Sequence, residues 1–346
     1  MPKMSYSSLV SFGGDLLVRL GFAAEDARYI AETAAFAEAG GLHTHGAVVL
    51  SYIEAQCGSG IDPKAMPRVV QERAASALLD GNRAAGGVCM RLAIEMARRK
   101  AREAGVAVVA VRNTSWIAAL GPYLAPLARE GFMAHLLAQS CQCQDAAPHG
   151  SLDPCFSTNP MALAFPTDDG PVIADFSTAA MSMGRVRTLA KAGRKAAQPA
   201  FFTKDGQLTD DPNAVLQGGS MLPAGGDFDG HKGYALALWI EALTAMAGGR
   251  CNDPGSEQRQ SFTLWLLDPD AFGQREWYVS EMRRMSARIR GGRPRPGVEA
   301  IRLPGERLFA EVERSKTSGV ELTAGVLKTL TDAARRRGVP LPEPFQ

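Results

Sequence analysis

The sequence predicts a mixed α/β protein of the α+β type, with helices from both ends of the chain flanking a sheet-rich middle. Three observations predict it. Apolar residues recur at helical spacing through most of residues 1–112. Over 113–222 the pattern breaks into short apolar runs punctuated by Gly, Pro and Asp. Residues 303–346 return to helical spacing. The helical part is therefore expected to be discontinuous, 1–112 with 303–346, around a second domain at 113–302.

In order, Leu9, Val10, Leu16, Leu17 and Leu20 form a helical stripe that Gly21 ends. Ala27, Ile30, Ala31, Ala34 and Ala35 repeat the spacing over a second helix, 25–39, closed by Gly40-Gly41. A third helix is expected over 48–55. Segments 69–72 and 75–79 flank a hairpin, with Asp80-Gly81-Asn82 as the next turn. A helix over 87–104 leads to a strand at 106–111. Apolar runs at 133–137, 161–165 and 172–174 read as strands, and Asp168-Asp169-Gly170 and Lys204-Asp205-Gly206 as turns. A helix over 232–246 ends at Gly248-Gly249. A strand at 261–267 closes on Asp268-Pro269-Asp270. Helices follow at 276–290, 308–316 and 324–337. No internal repeat or low-complexity segment is found.

The totals fit a large soluble core in two domains: 346 residues, 46% hydrophobic and 21% charged. A net charge of +2 gives no electrostatic case for nucleic acid or a membrane surface. Arg283, Arg284, Arg288, Arg290, Arg293 and Arg295 read as a solvated face. The N-terminus lacks an apolar signal core, and the most apolar helix, 234–247, carries Glu241 and is too short to span a bilayer. Six irregularly spaced cysteines point to thiols in a reducing cytoplasm rather than a disulfide framework. Cys141 and Cys143 with His149 and Cys155 match no common structural zinc spacing, and no metal site is expected.

The stretch richest in chemistry is Gly40-Gly41-Leu42-His43-Thr44-His45-Gly46, with two of the five histidines. Imidazole exchanges a proton near neutral pH, and a neighbouring hydroxyl can fix its tautomer. The alternative is a glycine-capped helix end with two surface histidines. No G-x-G-x-x-G opens a helix after a strand, so a Rossmann site is unsupported. No Walker A sequence or H-E-x-x-H occurs. Gly225-Gly226 with Gly230-His231-Lys232-Gly233 reads as an anion-binding helix start or, equally, as a flexible loop. Asp175-Phe176-Ser177-Thr178 reads as a cap or turn just after a strand.

Taken together and in order, these pieces resemble the malate/L-lactate dehydrogenase family of non-Rossmann NAD(P)H-dependent oxidoreductases. The residues that carry the resemblance are His43-Thr44-His45-Gly46, Asn113-Thr114-Ser115 with Tyr123, Thr158-Asn159-Pro160 and Asp175-Phe176-Ser177-Thr178. It continues through 222–233, Asp268-Pro269-Asp270-Ala271-Phe272-Gly273, Leu303-Pro304-Gly305-Glu306-Arg307, 319–322 and 338–342. His-x-His-Gly, Ala118-Ala119-Leu120, Pro148-His149-Gly150 and Gly230-His231-Lys232-Gly233 look most like the Δ1-piperideine-2-carboxylate/Δ1-pyrroline-2-carboxylate reductase branch.

The resemblance implies a mostly antiparallel central sheet in a non-Rossmann cofactor domain. It implies a helical substrate and dimerisation domain, and a homodimer. His45 would be the proton donor and Thr44 its partner. Asp175, Phe176, Ser177, His231, Lys232 and the Arg302, Leu303, Pro304, Gly305, Glu306, Arg307, Leu308 turn would hold the cofactor, and Thr158 the substrate. The cofactor is expected to be NADPH, with NADH possible; Arg187, Lys191, Arg194 and Lys195 would favour a 2′-phosphate or simply form a solvated helix face.

Three positions depart from the relatives. Val49 stands where they carry a carboxylate-anchoring Arg, Trp116 where they carry His, and Arg185 where the reductase branch carries Asp. An Arg holds a carboxylate through two parallel hydrogen bonds, which Val cannot. Either Arg185 replaces the lost Arg, or Trp116 and Val49 line a pocket for a bulkier or uncharged imine or ketone, or the chain is a non-catalytic binding relative. The expected activity is NAD(P)H-dependent reduction of a cyclic imine C=N, the alternative being a 2-oxo acid reductase/2-hydroxy acid dehydrogenase. The expected partners are a small imine or 2-oxo acid and a second copy of the chain.

Overall fold

A computed structural model describes residues 2–345. The chain begins with a short strand β1 (Lys3–Met4) and helices α1 (Tyr6–Leu20), α2 (Ala24–Ala39) and α3 (Val48–Gln56). Ser5 caps α1 by accepting the Ser8 N–H, and Gly21 ends it in the left-handed conformation (φ 102°). The hairpin β2 (Arg68–Glu72) and β3 (Ser76–Asp80) follows, then α4 (Gly86–Ala104), β4 (Val106–Thr114), α5 (Gly121–Arg129) and β5 (Met133–Ser140). The middle continues with β6 (Pro160–Phe165), β7 (Val172–Ser177), α6 (Met183–Lys191), β8 (Phe201–Phe202), β9 (Leu208–Thr209), α7 (Asn213–Leu216) and β10 (Ser220–Met221). Then come α8 (Gly226–Met246), β11 (Gln260–Leu267), α9 (Arg275–Arg290), α10 (Glu306–Ser318), β12 (Val320–Glu321) and α11 (Ala324–Arg337).

The central sheet has seven strands in the order β2-β3-β4-β11-β5-β6-β7, and only the β3–β4 pair is parallel. Its strands alternate as a two-sided sheet must. Val109 and Val111 of β4, Phe262, Leu264 and Leu266 of β11, and Leu136 and Ala138 of β5 face the main core with the terminal helices, α4 and α5. Leu137, Met161 and Trp265 face the other way, onto Ile240 and Leu243 of α8. A third cluster, with Val186, Phe201 and Met221, lies under the small sheet β10-β8-β9. The two ends of the chain meet as expected: β1 pairs with β12, and α11 packs on α3 and α1.

Four expectations need correction. β2, β3 and β4 belong to the central sheet, so a boundary at 112/113 cuts β4 (Val106–Thr114) in two. The middle also contains helices α5 and α6, which the short apolar runs did not suggest. Asp175-Phe176-Ser177 is not a turn or cap: β7 pairs with β6 as far as Ser177 opposite Pro160, which keeps all three extended. Helix α8 starts at Gly226, not at Lys232. Gly225 caps it in the left-handed conformation (φ 100°), and Asp227 and Asp229 in the first turn suit the helix dipole.

Candidate active site

A cleft of about 1480 Å³ opens between the 40–45 turn, the loop 116–120, the end of β7, the start of α6 and the turn into α10. Its wall carries Thr44 and His45, set by the chain leaving α2. Thr44 Oγ1 lies 2.8 Å from His45 Nδ1. The Trp116 ring centroid sits 5.6 Å from that of His45 and 5.3 Å from that of Tyr52. Burial holds the His45 imidazole below its ordinary pKa. The ring is thus neutral at pH 7, and a donated Thr44 hydroxyl proton on Nδ1 would leave Nε2 to exchange protons.

The turn itself is clamped by Glu38, a residue with no exposed side-chain surface. One carboxylate oxygen meets His43 Nδ1 at 2.7 Å, and the other accepts the Ala47 N–H at 2.9 Å. The Glu38 hydrogen bond raises the pKa of His43, against the opposing effect of burial. Gly46 is required by space: a Cβ there would lie 2.5 Å from Glu38 Oε2 and 2.7 Å from the Glu38 nitrogen. His43 thus steadies the turn rather than facing the cleft.

On the opposite wall, Asp175 Oδ2 accepts the Leu120 and Gly121 N–H groups at 3.0 and 2.7 Å, tying β7 to the start of α5. Asp175 keeps contact with solvent through the cleft, yet protein surrounds it closely enough that desolvation raises its pKa; the two amides act against this. Ser177 Oγ donates to the Thr158 carbonyl at 2.9 Å, and Thr178 Oγ1 to the Asn159 carbonyl at 2.9 Å. Asn159, fully buried and at φ 34°, donates to Glu241 Oε1 at 2.9 Å. This network fixes Thr158 at the cleft wall. The turn at 303–308 joins through the Ile173 N–H, which donates to the Pro304 carbonyl at 3.1 Å. Gly305 (φ 92°) crosses Ile173 so closely that a Cβ would lie 3.0 Å from its nitrogen.

Not every expected site residue reaches the cleft. Thr44, His45, Trp116, Thr158, Asp175, Phe176, Ser177, Arg185, Gly305, Arg307 and Leu308 line it. Arg302, Leu303, Pro304 and Glu306 do not; Glu306 instead accepts the Leu303 N–H and pairs with Arg290. Val49 is buried behind His45, on a cavity of about 10 Å³ shared with Trp116, Ala118 and Tyr123. His231 and Lys232 lie in the second turn of α8, away from the lining, with Lys232 Nζ 2.9 Å from Asp229. Gly225 and Gly226 at the start of that helix do line the cleft, both at positive φ (100° and 67°).

Sequence reasoning missed Glu38, Tyr52 and Gly184. Glu38 carried a signal, since it falls on the same helical stripe as Ala31, Ala34 and Ala35, where a charge implies a buried partner. Tyr52 and Gly184 had none.

The sequence profile of the malate/L-lactate dehydrogenase family matches residues 4–331. A Delta(1)-pyrroline-2-carboxylate/Delta(1)-piperideine-2-carboxylate reductase of Pseudomonas putida is 32% identical over 95% of this chain and 96% of its own length. A malate dehydrogenase of Pyrococcus horikoshii is 29% identical over 96% and 94%. The crystal structure of malate dehydrogenase from Entamoeba histolytica superposes with a TM-score of 0.92 over 99% of both chains at 23% identity, which speaks to the fold. A profile match over nearly the whole chain, and a relative above 30% identity aligned end to end, settle the lineage: the chain belongs to the malate/L-lactate dehydrogenase family and is an oxidoreductase that uses a nicotinamide cofactor.

Proposed function

We propose that this oxidoreductase reduces the C=N bond of a cyclic imine with NAD(P)H, with His45 handling the proton. The observation that carries the reading is the Thr44–His45 pair on the cleft wall, 2.8 Å apart, under the Trp116 ring. The imidazole is the titratable group best placed to serve developing charge on nitrogen or oxygen. The P. putida relative, named for imine substrates, adds support.

The residues present fit a dinucleotide. The cleft exceeds the roughly 300–1,000 Å³ of an ordinary small-molecule site. The start of α8 at Gly225 shares the lining with Arg187 and Arg307, whose positive charges would meet a diphosphate. Asp175 Oδ2 takes both amide bonds, which leaves Oδ1 for a ligand donor. When bound, the reduced nicotinamide supplies a hydride. This chain's residues then orient the acceptor, exclude water through Trp116 and Tyr52, and move the proton at His45. NADPH is the preferred cofactor. Of the basic run, Arg187 reaches the cleft, while Lys195 is held by Asp210 at 2.9 Å.

A second reading, 2-oxo acid reduction, draws support from the basic lining and from the malate dehydrogenase relative. Under either reading Arg185, on the cleft lining, would receive a substrate carboxylate. Val49 and Trp116 would shape the apolar side, Val49 from behind His45. A homodimer is supported by α8, whose Leu236, Leu238, Trp239 and Met246 remain exposed. Among the described residues no helix is long and apolar enough to cross a membrane, and the free cysteines suit a reducing cytoplasm.

The test is oxidation of NADPH and of NADH with Δ1-piperideine-2-carboxylate and oxaloacetate, in the wild type and in His45→Ala. Imine turnover should exceed oxo acid turnover, and His45→Ala should lower it by about 100- to 10,000-fold. Turnover of the oxo acid alone would install the second reading. A fully active His45→Ala would remove His45 from both.

A further inference from the structure

Helix α6 meets the catalytic turn through a residue without a side chain. A Cβ on Gly184 would lie 2.6 Å from Thr44 Cβ, 3.0 Å from its Oγ1 and 3.1 Å from its Cγ2, whereas ordinary contact begins near 3.4 Å. Gly184 is helical, in the first turn after the Ser182 cap, so its backbone does not demand glycine. Helix propensity favours alanine there by up to about 1 kcal/mol. Space alone keeps the position small.

Thr44 is thus held between two neighbours. The Gly184 backbone lies on one side, and His45 Nδ1 is 2.8 Å from its hydroxyl on the other. We propose that Gly184 is a positioning residue: it seats α6 against Thr44 and so keeps the Thr44 hydroxyl on His45 Nδ1, locking the imidazole in one tautomer. This couples the proton-transfer pair to the segment that begins at α6 and includes Arg185 and Arg187 on the cleft wall. The inference rests on His45 being the proton-transfer group. Adding a methyl at 184 forces Thr44 or α6 aside by about 0.8 Å to restore ordinary contact. A misplacement of about 1 Å at reacting groups costs on the order of 100-fold in rate.

The experiment compares Gly184→Ala, Thr44→Gly, the double variant and, as a control, Gly14→Ala, whose added Cβ would meet nothing within 4 Å. Two readouts are taken. Long-range ¹H–¹⁵N spectra of the imidazoles, with His45 assigned by its loss in His45→Ala, report the tautomer without any substrate. Turnover of Δ1-piperideine-2-carboxylate or oxaloacetate with NADPH reports kcat and KM.

The wild type should show one dominant neutral tautomer of His45, and Gly184→Ala a mixture. Its kcat should fall about 10- to 100-fold, with KM for NADPH nearly unchanged. In the Thr44→Gly background, Gly184→Ala should have no further effect, since a residue acting only through Thr44 cannot act once that side chain is gone. An unchanged tautomer and turnover in Gly184→Ala would overturn the proposal, as would losses that add in the double variant. Should Gly184→Ala alone fail to fold, the double variant, freed of the collision, must recover the melting temperature of Thr44→Gly; failure to recover it overturns the proposal too. An active His45→Ala would instead defeat the reading of His45, a separable outcome.

Discussion

Replacing Glu38 by Gln tests what holds the turn that carries Thr44 and His45. The exchange keeps the shape of the side chain and removes its charge. Glu38 accepts two hydrogen bonds, from His43 Nδ1 at 2.7 Å and from the Ala47 N–H at 2.9 Å. A hydrogen bond to a charged group contributes about 1.5–3 kcal/mol and a neutral one about 0.5–1.5. His43 keeps 31% of its side-chain surface open, so solvent screening pulls its share down. About 2 kcal/mol is lost over both bonds. With an unfolding entropy of about 2.1 cal/mol/K per residue, 346 residues convert this to a Tm fall of about 3 °C. The pH dependence separates the two bonds. Glu38 raises the pKa of His43 above its ordinary 6.5. Stability from a raised histidine is full below the unfolded-state pKa and is lost as pH climbs through the folded-state one. Calorimetry of wild type and Glu38→Gln in steps from about pH 6 to about pH 9 should show the gap narrowing across that window. What remains at high pH is the Ala47 N–H share. A gap that stays constant would mean that the Glu38–His43 contact contributes nothing as an ion pair.

Two further outcomes follow from the cleft. Burial lowers the pKa of His45 from its ordinary 6.5. With His45 as the proposed proton donor, kcat/KM for reduction should decline as pH rises through a value below 6.5, while the reverse dehydrogenation should gain over the same range; a profile centred above 6.5 in both directions would contradict this. Arg185→Ala should raise KM for Δ1-piperideine-2-carboxylate by about 10- to 100-fold, the equivalent of one charge-assisted hydrogen bond, and leave uncarboxylated Δ1-piperideine unaffected. Equal effects on both substrates would deny Arg185 the carboxylate.

The elements read from periodicity are the ones whose burial follows their own residues. α1 closes at Gly21, α2 presents Ala27, Ile30, Ala31, Ala34 and Ala35 to the core, and β4 and β11 form where their apolar runs lie. Helix α5 escaped because Gly121, Pro122 and Pro126 all read as breakers. Yet Pro122 falls in the first turn, where no amide bond is lost, and Asp175 from a distant strand accepts the amides of Leu120 and Gly121. The end of β7 escaped for a similar reason: its partner, β6, decides how far it stays extended. Both misreadings arise where a long-range contact overrides a local preference.

The same division runs through the site. Thr44 and His45, which line the cleft, could be picked out as candidates from residue type, because proton exchange needs an imidazole and tautomer control a neighbouring donor. The groups that place them could not. Gly46 and Gly184 are glycine for opposite reasons from Gly21 or Gly305: their backbones are unexceptional, and it is Glu38 and Thr44, close in space, that leave no room for a methyl. A glycine demanded by φ often announces itself at the end of a periodic stripe, whereas one demanded by a neighbour is invisible until the neighbour is known. Val49 makes the converse case. A residue taken from the alignment of motifs as facing substrate lies behind the histidine instead, so the loss of a charged side chain there alters what supports His45 before it alters what touches the ligand. On the cleft itself α6 contributes Arg185 and brings Gly184 against Thr44, while α3 contributes Tyr52 and keeps Val49 behind the histidine.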